Sequence, residues 1–196
     1  MVAVSQPPAS SWARQPQLRI GAVVAVALAI AFVVWLIVRG GGGGSSSSTS
    51  GTRTLPAIGP TAVSVNDLGN AAGKVGHRVY WAGPVANTRY ELTQTPSGSI
   101  YIRYLPQGVP VGTKALFTLV GSYPVPGAYK VLQGLAKKSN ETSFTAPGGA
   151  IAVYSKASPP NVYVAYPGSN VEIEVYDPSP KRARSLITSG QIAPVP

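Results

Sequence analysis

The nineteen residues from Ile20 to Val38 carry no charge. Twelve are Ile, Leu, Val or Phe, five are Ala, and the other two are Gly21 and Trp35. A helix rises about 1.5 Å per residue, so the run would cover roughly 28 Å, close to the ~30 Å hydrocarbon core of a bilayer. At roughly 0.3–0.6 kcal/mol for each large apolar residue, insertion is favoured by about 4–7 kcal/mol. A buried soluble helix is the alternative, but such a helix is rarely nineteen residues long and apolar on every face. The run predicts a transmembrane helix over residues 20–38. A cleaved secretory signal is the competing reading. Its apolar core is about 7–15 residues long, with small residues before the cleavage point. Here the run is longer, ends Leu36-Ile37-Val38-Arg39, and no A-x-A pattern follows. An uncleaved signal-anchor is therefore expected.

Residues 1–19 are rich in Pro, Ser and Gln, a composition that predicts a disordered tail. Arg14 and Arg19 precede the span and Arg39 and Arg53 follow it, so the basic bias is nearly balanced. All the foldable sequence lies after the span, which favours the amino terminus inside and the long part exported. Gly21, Ala25 and Ala29 fall at i, i+4 and i+8, a spacing that lets two spanning helices approach closely. A homodimer through this face is an expectation, set against the plain frequency of Ala in the span. Residues 40–51 read GGGGGSSSSTSG. Nothing there can bury apolar area and repay the entropy of ordering. The stretch 39–60 is expected to be a flexible linker with an r.m.s. span of roughly 19 Å over its Gly/Ser core. Such a tether transmits no rigid signal.

The remaining residues, 61–196, are enough for one domain with its own core. Ser64-x-x-Asp67 followed by Leu68, Ala71, Ala72 and Val75 at helical spacing predicts a capped helix ending at Gly76. Strands are expected at 78–82, 90–95, 99–105, 116–123, 150–154, 162–166 and 171–176. The segments 90–95 and 99–105 flank Ser97-Gly98 and read as a hairpin. Residues 128–138 read as an amphipathic helix with lysines at its end. A last helix is expected after Ser179-Pro180 and before Gly190. The fold class expected is α+β: a mostly antiparallel sheet with two or three short helices on one face.

Tyr80-Trp-Ala-Gly-Pro84, Tyr90-Glu-Leu-Thr93 and Ile100-Tyr-Ile-Arg-Tyr-Leu-Pro106 resemble segments of uncharacterised, single-span, membrane-anchored proteins of actinobacterial type. The resemblance covers roughly Asp67 to Pro194. It implies a bacterial envelope location and carries over no activity and no site residue.

Composition narrows the chemistry. The chain has no cysteine and one histidine, which excludes a disulfide scaffold and any thiolate or multi-histidine metal site. No cofactor motif is present, and six acids form no calcium loop. The lone His77 sits at a helix-to-strand junction, with no G-x-S-x-G elbow and no S-x-x-K to supply a nucleophile. Glu172 and Glu174 lie on one face of a strand, about 7 Å apart at Cα, and paired carboxylates can cleave glycosidic bonds. Catalytic pairs come from different elements, however, and alternating acids on one strand are expected to serve solvation.

Ten tyrosines and Trp81 fall in the folded part. Tyr101 and Tyr176 are expected on outer sheet faces beside Arg103 and Glu172/Glu174, and exposed Tyr beside charge suits a protein or sugar interface. From Leu55 onward twelve basic residues face six acidic ones. Lys181, Arg182 and Arg184 open the last helix against its dipole, which points to an exposed cluster or an anionic neighbour. The candidate interaction residues are thus Tyr101, Arg103, Tyr176, Lys181, Arg182 and Arg184. Read together, the sequence predicts a non-catalytic, membrane-anchored extracytoplasmic domain of the bacterial envelope, contacting a protein, anionic lipid or wall polymer, and no nucleic acid. An anchored hydrolase acting on wall or glycan substrate, using Glu172, Glu174, His77 or a Ser–Lys pair, is the alternative.

Overall fold

Ile58–Val63 forms a strand, β1, at the margin of the stretch read as linker. A computed structural model describes residues 55–196, and none of the described helices is long and apolar enough to cross a membrane. The tail 1–19, the span 20–38, the Gly21/Ala25/Ala29 face and the linker up to residue 54 lie outside the described residues.

After β1 come α1 (Val65–Val75), β2 (Tyr80–Trp81), β3 (Thr88–Gln94), β4 (Ile100–Pro106) and β5 (Leu119–Pro124). Then follow α2 (Ala128–Leu135), β6 (Glu141–Ala146), β7 (Ala150–Ser155), β8 (Asn161–Ala165), β9 (Val171–Tyr176), α3 (Pro180–Thr188) and β10 (Ala193–Pro194). Eight strands make one antiparallel sheet in the order β1-β3-β4-β5-β9-β8-β7-β6. The short pair β10-β2 lies apart from it. The fold is α+β, mostly antiparallel, with three short helices.

Local chemistry explains the helix ends. The Ser64 hydroxyl accepts from Asp67 N–H at 3.2 Å, and Ser64 N–H donates back to the Asp67 carboxylate at 2.9 Å, a complete capping box. The bond from Ser64 N–H, and then that from the Ser64 hydroxyl at 2.7 Å, hold the Asp67 carboxyl below its usual range. Gly76 closes α1 with φ +76°, a backbone region a side chain would strain. Ser179 caps α3 ahead of Pro180, as the spacing predicts.

The main core lies on one side of the sheet. Ile100 and Ile102 of β4, Val120 of β5, Ile173 and Val175 of β9 and Val162 of β8 are fully buried there. Leu68 of α1 and Ala183 and Ile187 of α3 close over them. Tyr80 and Trp81 lie in the same layer: Tyr80 N–H donates to Ser122 Oγ at 2.9 Å, and the Tyr80 ring stacks on Tyr166 at 5.6 Å.

Helices occupy both faces, not one. Ala128 and Leu132 of α2 pack on Val153 and Ala165 in a second, separate core on the opposite side. The reason is in β7 and β8. Ala150 and Ala152 face the main core while Ile151 and Val153 face the second, so these strands are apolar on both sides. Three strands carry no clear apolar alternation in the sequence: β1, interrupted by Gly59-Pro60; β6, which has Phe144 as its one large apolar residue; and the two-residue β10. Residues 116–118, expected in β5, belong instead to the loop before it, and Leu116 is exposed.

Candidate functional site

Asp177 follows β9 directly and organises the junction with α3. It is buried, and its carboxylate accepts from Ser179 N–H at 2.8 Å and from Thr118 Oγ at 2.6 Å. The Arg182 Nε lies 3.4 Å from the same carboxylate, while 60 % of the arginine side chain stays exposed. A cleft of about 290 Å³ opens here. Val85, Tyr104, Phe117 and Leu186 give it apolar walls, and Thr118, Asp177 and Arg182 supply polar groups. Apolar walls with a few converging polar atoms are the usual make-up of a binding cleft. The outer guanidinium nitrogens of Arg182 bond no described residue, so they are available to an anion. The Asp-Pro-Ser-Pro sequence at 177–180 was the available signal for this junction, since such runs form side-chain-to-backbone turns.

The three basic residues of α3 do not form one cluster. Arg182 lines the cleft, and Arg184 lies over the Tyr154 ring at 5.3 Å. Lys181, one position before Arg182, is exposed. Successive helix positions diverge by about 100°, and each arginine finds its own neighbour.

The other face of the sheet holds Tyr101, Arg103 and Tyr176, and there the expected surface is occupied from within. Arg103 Nη1 donates to Glu91 at 2.6 Å across the β3–β4 hairpin. Its Nη2 donates to the carbonyls of Thr113 and Ala115 at 3.0 and 2.7 Å, and its guanidinium lies 6.0 Å from the Phe117 ring centroid. Glu91 is 1 % exposed and takes a second bond from Gly112 N–H at 2.6 Å. Arg103 therefore pins the loop between β4 and β5, which accounts for the late start of β5. Tyr176 is half-buried.

Glu172 and Glu174 correct the expectation of solvated acids. They are 3 % and 2 % exposed. β9 lies in the middle of the sheet between β5 and β8, and tyrosines close over its polar face. Glu174 sits opposite Gly121 and beside Tyr163. The Tyr123 ring folds over Gly121, where a Cβ would meet the Tyr123 hydroxyl oxygen at 2.7 Å. The Tyr123 hydroxyl donates to Glu174, and its ring meets Tyr101 edge-on at 5.6 Å. Burial pushes the Glu172 carboxyl up to about 7, with the neighbouring Glu174 adding to the rise. Burial likewise raises Glu174, partly offset by the bond from Tyr123. The Tyr123 and Tyr163 hydroxyls are held far above the usual tyrosine range, by burial first and then by Glu174.

This pair is not assembled with the other sequence candidates for catalysis. His77 lies between Arg78 O at 2.9 Å and Gly98 O at 2.8 Å and bonds neither glutamate. Neither glutamate lines the cleft at Arg182 or the open grooves beside Arg89 and beside His77. Among the described residues no three His, Cys, Asp or Glu side chains gather to hold a metal ion. No protein-family model, curated protein or solved structure matches this chain.

Proposed function

We propose that this chain is a single-pass, membrane-anchored protein of the bacterial envelope that presents an extracytoplasmic α+β domain to a protein or an anionic surface polymer. One observation carries the reading: a charge-free apolar run at 20–38, a Gly/Ser spacer at 40–51, and a domain whose first strand starts at Ile58. The likeness of the Tyr80, Tyr90 and Ile100 segments to anchored actinobacterial-type proteins supports the same location. The cleft beside Arg182 supports the binding half of the proposal, because its exposed guanidinium stands next to apolar walls. A carboxylate- or phosphate-bearing ligand suits it.

The test uses the full chain in a bacterial host. It should remain with membranes after alkaline extraction, and protease added to intact cells should remove the domain. The domain should bind anionic vesicles or wall material less well as salt rises, and Arg182→Ala should weaken that binding. Recovery of a soluble chain starting beyond Arg39 would refute the anchor. Salt-insensitive binding would refute the electrostatic part.

An anchored envelope hydrolase is the second reading. Glu172 favours it, since burial raises its carboxyl to about 7, near the working pH that suits a general acid. Its burial, and its absence from the clefts described, weigh against it. Turnover of glycan lost in Glu172→Gln, with the fold intact, would promote this reading over the first.

A further inference from the structure

The two edges of the eight-stranded sheet are built differently. The β1 edge is broken: Pro60 has no N–H to donate, and the pairing with β3 shifts register between Ile58 and Thr61. Proline and a bulge are common ways of blocking strand addition. The β6 edge has neither. Glu141–Ala146 pairs with β7 through six consecutive partners without a shift, and its sequence ETSFTA contains no proline and no basic residue.

The direction of its free backbone groups follows from one bond. Asn140 O accepts from Lys156 N–H at 3.0 Å, so residue 140 turns its peptide groups toward β7. Alternation along the strand then turns residues 142, 144 and 146 inward and 141, 143 and 145 outward. Consistently, Glu141 N–H leaves the ladder and donates to Lys138 O at 3.1 Å. By this alternation the N–H and C=O of Ser143 and Thr145 point away from β7, and both residues are exposed.

We propose that β6 is a homodimerisation edge, on which a second copy of this chain pairs its own β6 antiparallel about a two-fold axis normal to the sheet. A two-fold of this kind keeps like faces together, so residue pairs must share parity. Centred on Phe144, it sets Phe144 opposite Phe144, Ser143 opposite Thr145 and Thr142 opposite Ala146. The Ser143–Thr145 pairs are the ones whose free groups point outward. They give two reciprocal bonds on each side of the axis. Glu141 falls opposite Pro147, which has no N–H and ends the ladder. Lys137, Lys138 and Lys156 sit at the Glu141 end of each copy, and the two-fold sends those ends apart. Pairing β6 with a β1 edge would build an open chain of copies, and Pro60 with the register shift obstructs it. The second copy is the occupant because this strand complements itself in hydrogen bonds, side chains and charge. The inference rests on the sheet alone and stands whether or not residues 20–38 cross a membrane.

The chain has no cysteine, so an introduced one reports only its own contacts. In the full chain held in mild detergent, Phe144→Cys should give a covalent dimer on gentle oxidation. Residues facing each other in a non-hydrogen-bonded pair lie ~4.5 Å apart at Cα, within disulfide range. Sedimentation should find the parent chain dimeric. Ser143→Pro removes an outward N–H and leaves the β7 ladder intact. By symmetry it deletes two intermolecular bonds and should weaken association about thirtyfold. If that variant unfolds, Ser143→Lys with Thr145→Lys places like charges across the axis and should weaken association at least as much. Both measurements are repeated with Ala25→Leu, which should leave the dimer in place. A monomeric parent chain, an association that Ser143→Pro leaves unweakened, or cross-linking that vanishes with Ala25→Leu, would overturn the proposal. So would a Phe144→Cys chain that stays reduced or couples to a different protein.

Discussion

The buried carboxyl of Glu172 makes domain stability depend on pH, with a sign fixed by the direction of its shift. Its folded value stands near 7 against an ordinary 4.5, because burial and Glu174 both oppose ionisation. A group raised in the folded state gives its full stabilisation below its unfolded value and loses it as pH climbs through the folded one. Stability should therefore fall between about pH 4.5 and pH 7 and level off near pH 8. At about 1.4 kcal/mol for each pH unit between the two values, the loss is ~3 kcal/mol. Glu174, also raised, acts in the same direction. Glu172→Gln keeps the shape and removes the ionisation. Urea unfolding of residues 55–196 at pH 5 and pH 8 reads the effect directly. The variant should match its parent within ~1 kcal/mol at the lower pH and exceed it by about 2–3 kcal/mol at the higher. A parent domain equally stable at both, or a variant whose stability falls as steeply, would show that Glu172 is not ionised against its surroundings.

Arg103→Ala should destabilise the domain by about 3–5 kcal/mol in urea unfolding, since it leaves the 1 %-exposed Glu91 without its cation; a change under ~1 kcal/mol would return Arg103 to the role of a surface residue. Gly121→Ala should cost about 1–3 kcal/mol, because the new methyl meets the Tyr123 hydroxyl at 2.7 Å. Tyr123→Ala in the same chain should then cost less than it does in the parent, and simple additivity would refute the contact.

Local signals were legible where one rule acted alone. Ser64-x-x-Asp67, Ser179-Pro180 and the Ser97-Gly98 hairpin each combine a turn or cap residue with a clear hydrophobic period, and each sits where that combination places it. β9 shows why the rest was not. Val171, Ile173 and Val175 alternate with Glu172, Glu174 and Tyr176, which reads as one buried and one wetted face. That reading assumes an uncovered second face. β7 and β8 carry apolar residues on successive positions, a pattern that belongs to strands covered on both sides and implies a helix such as α2 over that face. With that face partly closed, the acids of β9 come to lie under tyrosines. Gly121 is the companion clue: a strand glycine directly across from Glu174 leaves the space that the Tyr123 ring fills. Arg103 and the glutamates, charged residues whose alternation reads as a surface, instead hold the second face together. An outward-facing role remains for groups whose partners leave atoms free. Arg182 keeps its outer nitrogens, and the alternation of β6 turns the backbone donors and acceptors of Ser143 and Thr145 away from β7.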